Sequence, residues 1–561
     1  MTHSDADAVR HYERALDCLL LFREEVAPEL RAALAASPRS VMGHVFTAYL
    51  GLLGTEETDA AEARRVFEEF RRNVRLSDVT DRERLHLDAA TSWLDGRIHR
   101  AGRLLGEISV AHPRDALALA VGHQIDFFTG DAARLRDRVG GALSAWDEDD
   151  PHYGFLLGMY AFGLEEAGHY GRAEEVGLAA VERQAHDVWG IHAVVHTYEM
   201  QGRFADGIRY LDDRADAWTV GNYLRVHNWW HYALYVLETG RTDRVLEIYD
   251  SAVHHADSAP VAMELLDAAS LLWRLYLTGA DTGSRWAALA DAWAGRRDGA
   301  YYAFNDVHAV MAYVGADRVS AAERLIRDRQ AWALSAGPEV SNVAMTAEVG
   351  LPVCRALVAY GQGRYGEVVD LLLPLRYRLH TFGGSHAQRD AVQRTLVEAA
   401  LRAGHHDVAR TLLSERAGLR PTSPYNQWAR ARLAERLGDT ALADVAAPCR
   451  RAGIGGGARR VNRPGGAASV EGGRTQHWGR LPWLAAFLRR AFFLRRRFED
   501  MPPPLPMVDF AQLIPLRGEP PGDHGPWRRA AAGGWGCHDV QPSTTTLLTL
   551  GVVGRIDASA S

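Results

Sequence analysis

The chain runs to 561 residues, 47% of them hydrophobic and 24% charged, which is ample for a packed interior. Its net charge of −7 is unevenly placed: residues 450–561 hold sixteen arginines against eight acids, leaving −15 on residues 1–449. An acidic body argues against contact with a phosphate backbone, so no nucleic acid is expected on the main domain.

The N-terminus, MTHSDADAVRHYERA, is charged, and the apolar run Ala15 to Phe22 is short and ends at Arg23-Glu24-Glu25. That pattern reads as one face of a helix rather than a signal peptide. No uncharged apolar stretch approaches the roughly 18 residues that span a bilayer, so no transmembrane segment is expected. Cys18, Cys354, Cys449 and Cys537 lack paired spacing. They suit neither a disulfide framework nor a zinc ribbon, and a reducing, cytoplasmic location follows.

A helix-ending glycine then recurs along the chain. It stands at Gly54, Gly96, Gly130, Gly168, Gly202, Gly240, Gly279, Gly315, Gly363, Gly404 and Gly438, at spacings from 34 to 48 residues. The clearest copy is Leu156 to Asp213, where the turns Gly168-His169-Tyr170 and Gly202-Arg203-Phe204 lie 34 apart and small residues follow at one offset, Ala173 and Gly207. A fixed period of this length marks a helical repeat, in which no unit buries its apolar face without a neighbour. Start signals fall in register: Thr80 with Glu83, Ser320 with Glu323 and Ser385 with Gln388 read as capping boxes, and Pro424 after Ser423 suits a first turn. No run alternates with period two for long. The expected fold is all-α, about ten helical hairpins stacked into a tetratricopeptide-like superhelix over residues 1–449.

Composition changes near Cys449. GIGGGARRVNRPGGAASVEGGR has no periodicity and reads as a linker, followed by a Gly/Pro/Arg-rich tail over 450–561 that is expected to be disordered. Within it, residues 482–498 form a basic, apolar helix candidate suited to a membrane surface or a partner.

Several segments carry a resemblance. VMGHVFTAYLGLLGT, RERLHLDAA, IHAVVHTYEM, HNWWHYALYVLETG, FNDVHAVMAYVGA, GLPVCRALVAY and LLLPLRYRLHTFGGSHAQRD resemble the tetratricopeptide repeat protein 38 family, in that family's order, over roughly residues 10–435. The resemblance implies a right-handed superhelix of helix pairs and supplies no established reaction. Gln124 stands after His123 where the family tends to have Asp, and the tail has no counterpart.

In such superhelices the first helix of each pair lines the concave groove, so distance from the turn glycine places a residue. His44 and His86 lie ten before Gly54 and Gly96; His192, His196 and Glu199 lie ten, six and three before Gly202. His227 and His231 lie thirteen and nine before Gly240, and Asp306 and His308 nine and seven before Gly315. At i,i+4 two rings project from one side of a helix and can hold one ion. His192, His196 and Glu199, faced by His227 or His231, offer three or four ligands to a divalent metal, with zinc, iron or manganese suited to the set. A metal-bound water is then the nucleophile of a hydrolysis and Asp306 or His308 the proton carrier. The HExxH pattern is absent.

The segment FGGSHAQRD is a second candidate binding site. Gly383-Gly384 leads into the Ser385–Gln388 cap, and backbone N–H groups at a helix start together with Arg389 suit a carboxylate or phosphate; the alternative is an ordinary cap with Arg389 paired to Asp390 or a neighbouring helix. The tryptophans are expected as wedges between repeats, with Trp229 or Trp230 walling the groove. Two functions fit: a concave groove that binds a peptide, a partner protein or a small polar ligand, or a metal-dependent or acid-base hydrolase or lyase built in that groove. The surplus of titratable groups favours the second, and the lack of a known catalytic motif favours the first.

Overall fold

The computed structural model describes residues 1–296 and 299–438. The boundary expected near Cys449, the tail and the helix expected over 482–498 lie outside these residues. Among the described residues every regular element is a helix, and the one strand-like pairing is a single bridge between Arg23 and Asn222. The expected all-α solenoid of helical hairpins is the fold.

The two helices of a hairpin differ in a way the side chains dictate. In Val188–Gln201 every residue from Val188 to Met200 is buried, whereas the following Phe204–Asp212 buries only Phe204, Gly207, Tyr210 and Leu211. A helix apolar on all sides must sit inside, and one with a single apolar stripe sits outside it. Gly207 is small for a packing reason: a Cβ there would run into the Tyr235 ring of the next hairpin. Tyr235 is fully buried, with its hydroxyl donating to the Val195 carbonyl at 2.5 Å.

The turn glycines behave as the register requires, with two exceptions. Gly202 has φ +72°, and the amides of Gly202 and Arg203 bond back to the carbonyls of Glu199 and Tyr198. Gly168 and His169 repeat this with Glu165 and Leu164. Gly54 and Gly315 keep negative φ, and Thr55 (φ +56°) and Asp317 (φ +58°) make those turns instead. The shift at Asp317 corrects one expected start: the helix runs Val319–Ser335 with Arg318 as its cap, so Ser320 lies inside its first turn. The caps at Thr80, Ser385 and Ser423 form as expected.

One helix is long and apolar enough to be compared with a membrane span, although it is not an uncharged run. Ser341–Gly361 is continuous and apolar enough to cross a membrane by length, with a mean hydropathy of 1.3. Glu348 and Arg355 interrupt it in sequence, but a wider turn over Met345–Gly350 carries the helix through. Two thirds of its most apolar window is buried against neighbouring helices.

Hydrogen bonds also join hairpins far apart in the chain. The Asn305 amide donates to the Thr55 carbonyl (3.0 Å), the Ala262 amide to Glu56 (2.8 Å), Ser341 to Gly96 (2.9 Å) and Ser423 to Glu238 (2.9 Å). The ends of early helices are thereby tied to later hairpins.

Candidate metal centre

Val188–Gln201 carries His192 and His196 one turn apart, and Arg225–Glu238 carries His227 and His231 one turn apart. The two helices are neighbours, so the four imidazoles meet: one ring nitrogen from each lies within 4.8 Å of the others. The Nε2 atoms of His192 and His227 are 3.1 Å apart, and His196 and His231 have ring centroids 4.4 Å apart. His192, His196 and His231 are at most 2% exposed, while His227 keeps 15% of its side chain accessible.

Buried carboxylates are hydrogen-bonded to two of the four rings. Asp267 lies 2.8 Å from Nδ1 of His227 and Glu199 lies 3.0 Å from Nδ1 of His231, while Glu165 stands 3.5 Å from Nδ1 of His196 without a hydrogen bond. A carboxylate on one ring nitrogen fixes the tautomer and leaves the other nitrogen's lone pair facing the centre, the usual support of a metal-binding histidine. Trp230 stacks on His227 with its ring 5.1 Å away and nearly parallel, and its indole N–H donates to Ser270 (2.8 Å). Trp189 packs on His192 at 4.8 Å and donates to Nε2 of His123 (3.1 Å).

Burial keeps three of the four rings neutral. Burial, and then the neighbouring imidazoles, push His192 and His196 well below their ordinary range; burial, His227 and Arg274 do the same to His231. Burial raises Asp267 and Glu199, and burial together with Glu166 and Glu199 raises Glu165. Neutral imidazoles are the form that binds a metal. Nε2 of His196, Nε2 of His231 and both Glu165 oxygens have no hydrogen-bond partner within the protein. Each such buried group costs on the order of 1–3 kcal/mol, so several in one place make a poor packing solution and a good ligand set.

The other expected site residues go elsewhere. Glu199 backs His231 and lies 3.7 Å from Arg420, so it supports the ring rather than joining the four nitrogens. Asp306 pairs with Arg329 at 2.8 Å. His308 bonds the Phe304 carbonyl at 2.8 Å, with its ring against Phe304. Neither belongs to the histidine group. His44 stacks on Phe70 and His86 pairs with Asp115 (2.9 Å), which are packing roles. Trp230 is fully buried and holds an imidazole rather than walling an open groove.

The start of His386–Ala403 already has its anion. The Glu166 carboxylate accepts from the His386 amide (2.7 Å) and from Arg389 (3.1 Å), and Arg389 also donates to the Gly384 carbonyl. Ser385 and Gln388 cap each other, and Asp390 is held by Arg394 (2.6 Å) and Arg416 (2.7 Å). The expected site for an outside carboxylate is thus filled from within.

A cavity of about 250 Å³ reaches the centre. His192, His227, Trp189, Asp187 and Gln388 line it on that side, and Glu264 is a further titratable group in its wall. Glu264 stands three residues before Asp267 on the Ala262–Thr278 helix, and burial pushes its carboxyl up to about 7. Glu165, Asp267 and Glu264 escaped the sequence reading. Glu165 was legible, because it precedes Gly168 by three as Glu199 precedes Gly202. Asp267 and Glu264 have no such partner in the repeat.

No family model matches the sequence. Among solved structures the chain is similar to a monomeric mutant of IFIT1 with Gppp-AAAA, at 12% identity over 80% of this chain and 95% of that one, with a TM-score of 0.34. It is also similar to the APC/C hetero-tetramer Cut9–Hcn1, at 13% identity over 80% and 96% with a TM-score of 0.23. A third similar structure is Naa15/Naa10 bound to HypK-THB, at 12% over 80% and 62% with a TM-score of 0.21.

Proposed function

We propose that this helical-repeat protein holds one divalent transition-metal ion on His192, His196, His227 and His231, and acts as a metal-dependent hydrolase or lyase on a small molecule. The observation that carries the reading is the four ring nitrogens within 4.8 Å of one another, three of them on buried rings, with His227 and His231 hydrogen-bonded to Asp267 and Glu199. Four imidazoles suit zinc, iron, copper or nickel, and carboxylate support adds manganese less readily. The metal supplies a Lewis acid or an activated water. Glu264, rather than Asp306 or His308, is the proton carrier, since it lines the same cavity and titrates near neutrality.

Helical repeats commonly present a concave wall to a peptide or partner. Here His192, His196 and His231 are buried and reached through a cavity of about 250 Å³, which favours a small ligand over a polypeptide. We also assign the chain to the tetratricopeptide repeat protein 38 family, because the helices with both histidine pairs are among the segments that carry the resemblance. A cytoplasmic site of action fits the free Cys18 and Cys354. The repeat domain is taken to end near Cys449, and limited proteolysis that leaves a stable fragment of about 450 residues checks that boundary.

Elemental analysis of protein purified without an affinity tag tests the centre. The expected result is near-stoichiometric zinc, iron, manganese or another divalent metal, lost in a His192→Ala/His196→Ala variant that still melts cooperatively. A metal-free protein that binds none on addition, and whose melting a chelator leaves unchanged, overturns it.

A further inference from the structure

We infer that the ligand of this centre is an amphiphile: a hydrocarbon or aryl body that fills the cavity, with one oxygen-bearing end at His192 and His227. The inference rests on the metal-centre reading for that polar end, and on the cavity wall for the apolar body. Away from the histidines the wall is mainly apolar, built from side chains such as Leu50, Leu53, Phe127, Phe155, Met159 and Met263 and interrupted by Arg23, Glu56, Gln124 and Glu264. Four of these, Leu50, Leu53, Phe127 and Met263, are only half-buried although they face the interior of the fold. Val188–Gln201, by contrast, buries every apolar side chain from Val188 to Met200. An interior wall kept apolar and left uncovered is the environment a hydrocarbon chain relieves by burial, and one that a sugar, nucleotide or peptide backbone does not satisfy.

Polar groups in the wall are few beside the apolar ones. At the histidine side stand His192, His227, Asp187 and Gln388, and the wall also holds Arg23, Glu56, Gln124 and Glu264. Oδ1 of Asp187 caps Val188–Gln201 through the Trp189 and Gly190 amides, while its Oδ2 has no hydrogen-bond partner. Gln388 is tied to the Ser385 cap. On the metal-centre reading, His192 and His227 are where a carboxylate, ester or amide oxygen of the ligand finds a partner. A small apolar site with a few convergent polar groups is the ordinary form of a small-molecule pocket.

Acetohydroxamic and octanohydroxamic acids test this, because they share a metal-binding head and differ by six methylenes. Both are titrated by calorimetry into the full-length protein loaded with its metal and into the same protein stripped by chelator. Each methylene buried contributes about fourfold in affinity, so octanohydroxamate is expected to bind the loaded protein at least about a hundredfold more tightly than acetohydroxamate. A Leu53→Trp or a Met263→Trp variant that keeps its metal content and melting temperature is expected to lose most of that preference. Equal affinity for the two acids, or a preference that both filled variants retain, overturns the inference whatever the metal does. Affinities for both acids that are the same with and without metal, with the chain-length preference kept, leave the apolar site standing and overturn the metal centre instead.

Discussion

At the scale of single residues, aim matters more than identity. Asp267 reaches His227 from a third helix and fixes which nitrogen faces inward. Asp267→Asn keeps the shape and loses the negative charge, and such a change behind a metal-binding histidine typically weakens affinity by about 10- to 100-fold. Competition against a chromophoric chelator reads that loss, and unchanged affinity counts against the centre. His308 gives a cleaner stability experiment, being buried away from the cluster. Burial, with a smaller contribution from Arg274, pushes it down to about 4 from an ordinary 6.5. A histidine lowered on folding contributes stability above its unfolded value and loses it as pH falls through 6.5 toward 4. By the linkage relation the loss is about 3 kcal/mol, and His308→Gln should flatten that part of the acid limb in urea melts at pH 7 and pH 4.5. The histidine spacing showed which rings share a side of a helix, and the repeat offset exposes Glu165. Asp267, by contrast, meets His227 through tertiary packing between helices, which no local period encodes.

At the scale of elements, the sequence was legible wherever a backbone requirement picks the residue. Thr80, Ser385 and Ser423 cap helices because their side chains accept amides that the first turn leaves free. Ser320 has the same chemistry and misleads, since the left-handed Asp317 starts the helix sooner. The small residue at each hairpin crossing separates packing from propensity. Gly207→Ala drives a methyl into the Tyr235 ring, whereas Gly171→Ala meets nothing within 4 Å. Alanine gains about 1 kcal/mol over glycine in a helix, and overpacking costs about 1–3 kcal/mol. The first variant is expected to lower the melting temperature and the second to raise it slightly; the same sign for both would mean that the crossing is looser than described.

At the scale of the described chain, contacts between distant hairpins tie early helices to later ones, and these the register could not show. The period predicts stacking of each unit on the next and an open inner wall. Polar side chains that are unremarkable in sequence, Glu56, Glu166 and Glu238, reach across 185 to 220 residues to anchor later helices. Glu166 bears the heaviest load, because Arg389 is buried beside it. Glu166→Ala leaves that guanidinium without its carboxylate, a type of loss that costs about 3–5 kcal/mol. The unfolding midpoint in denaturant should fall accordingly, and an unchanged midpoint would show that the 166–389 pair does not hold the hairpins together.

The two indoles packed against His192 and His227 have a practical consequence. A paramagnetic or coloured ion such as cobalt, seated on those imidazoles, lies close enough to quench their fluorescence. Loading can then be followed by emission from the native chain, without a label and without knowing the reaction.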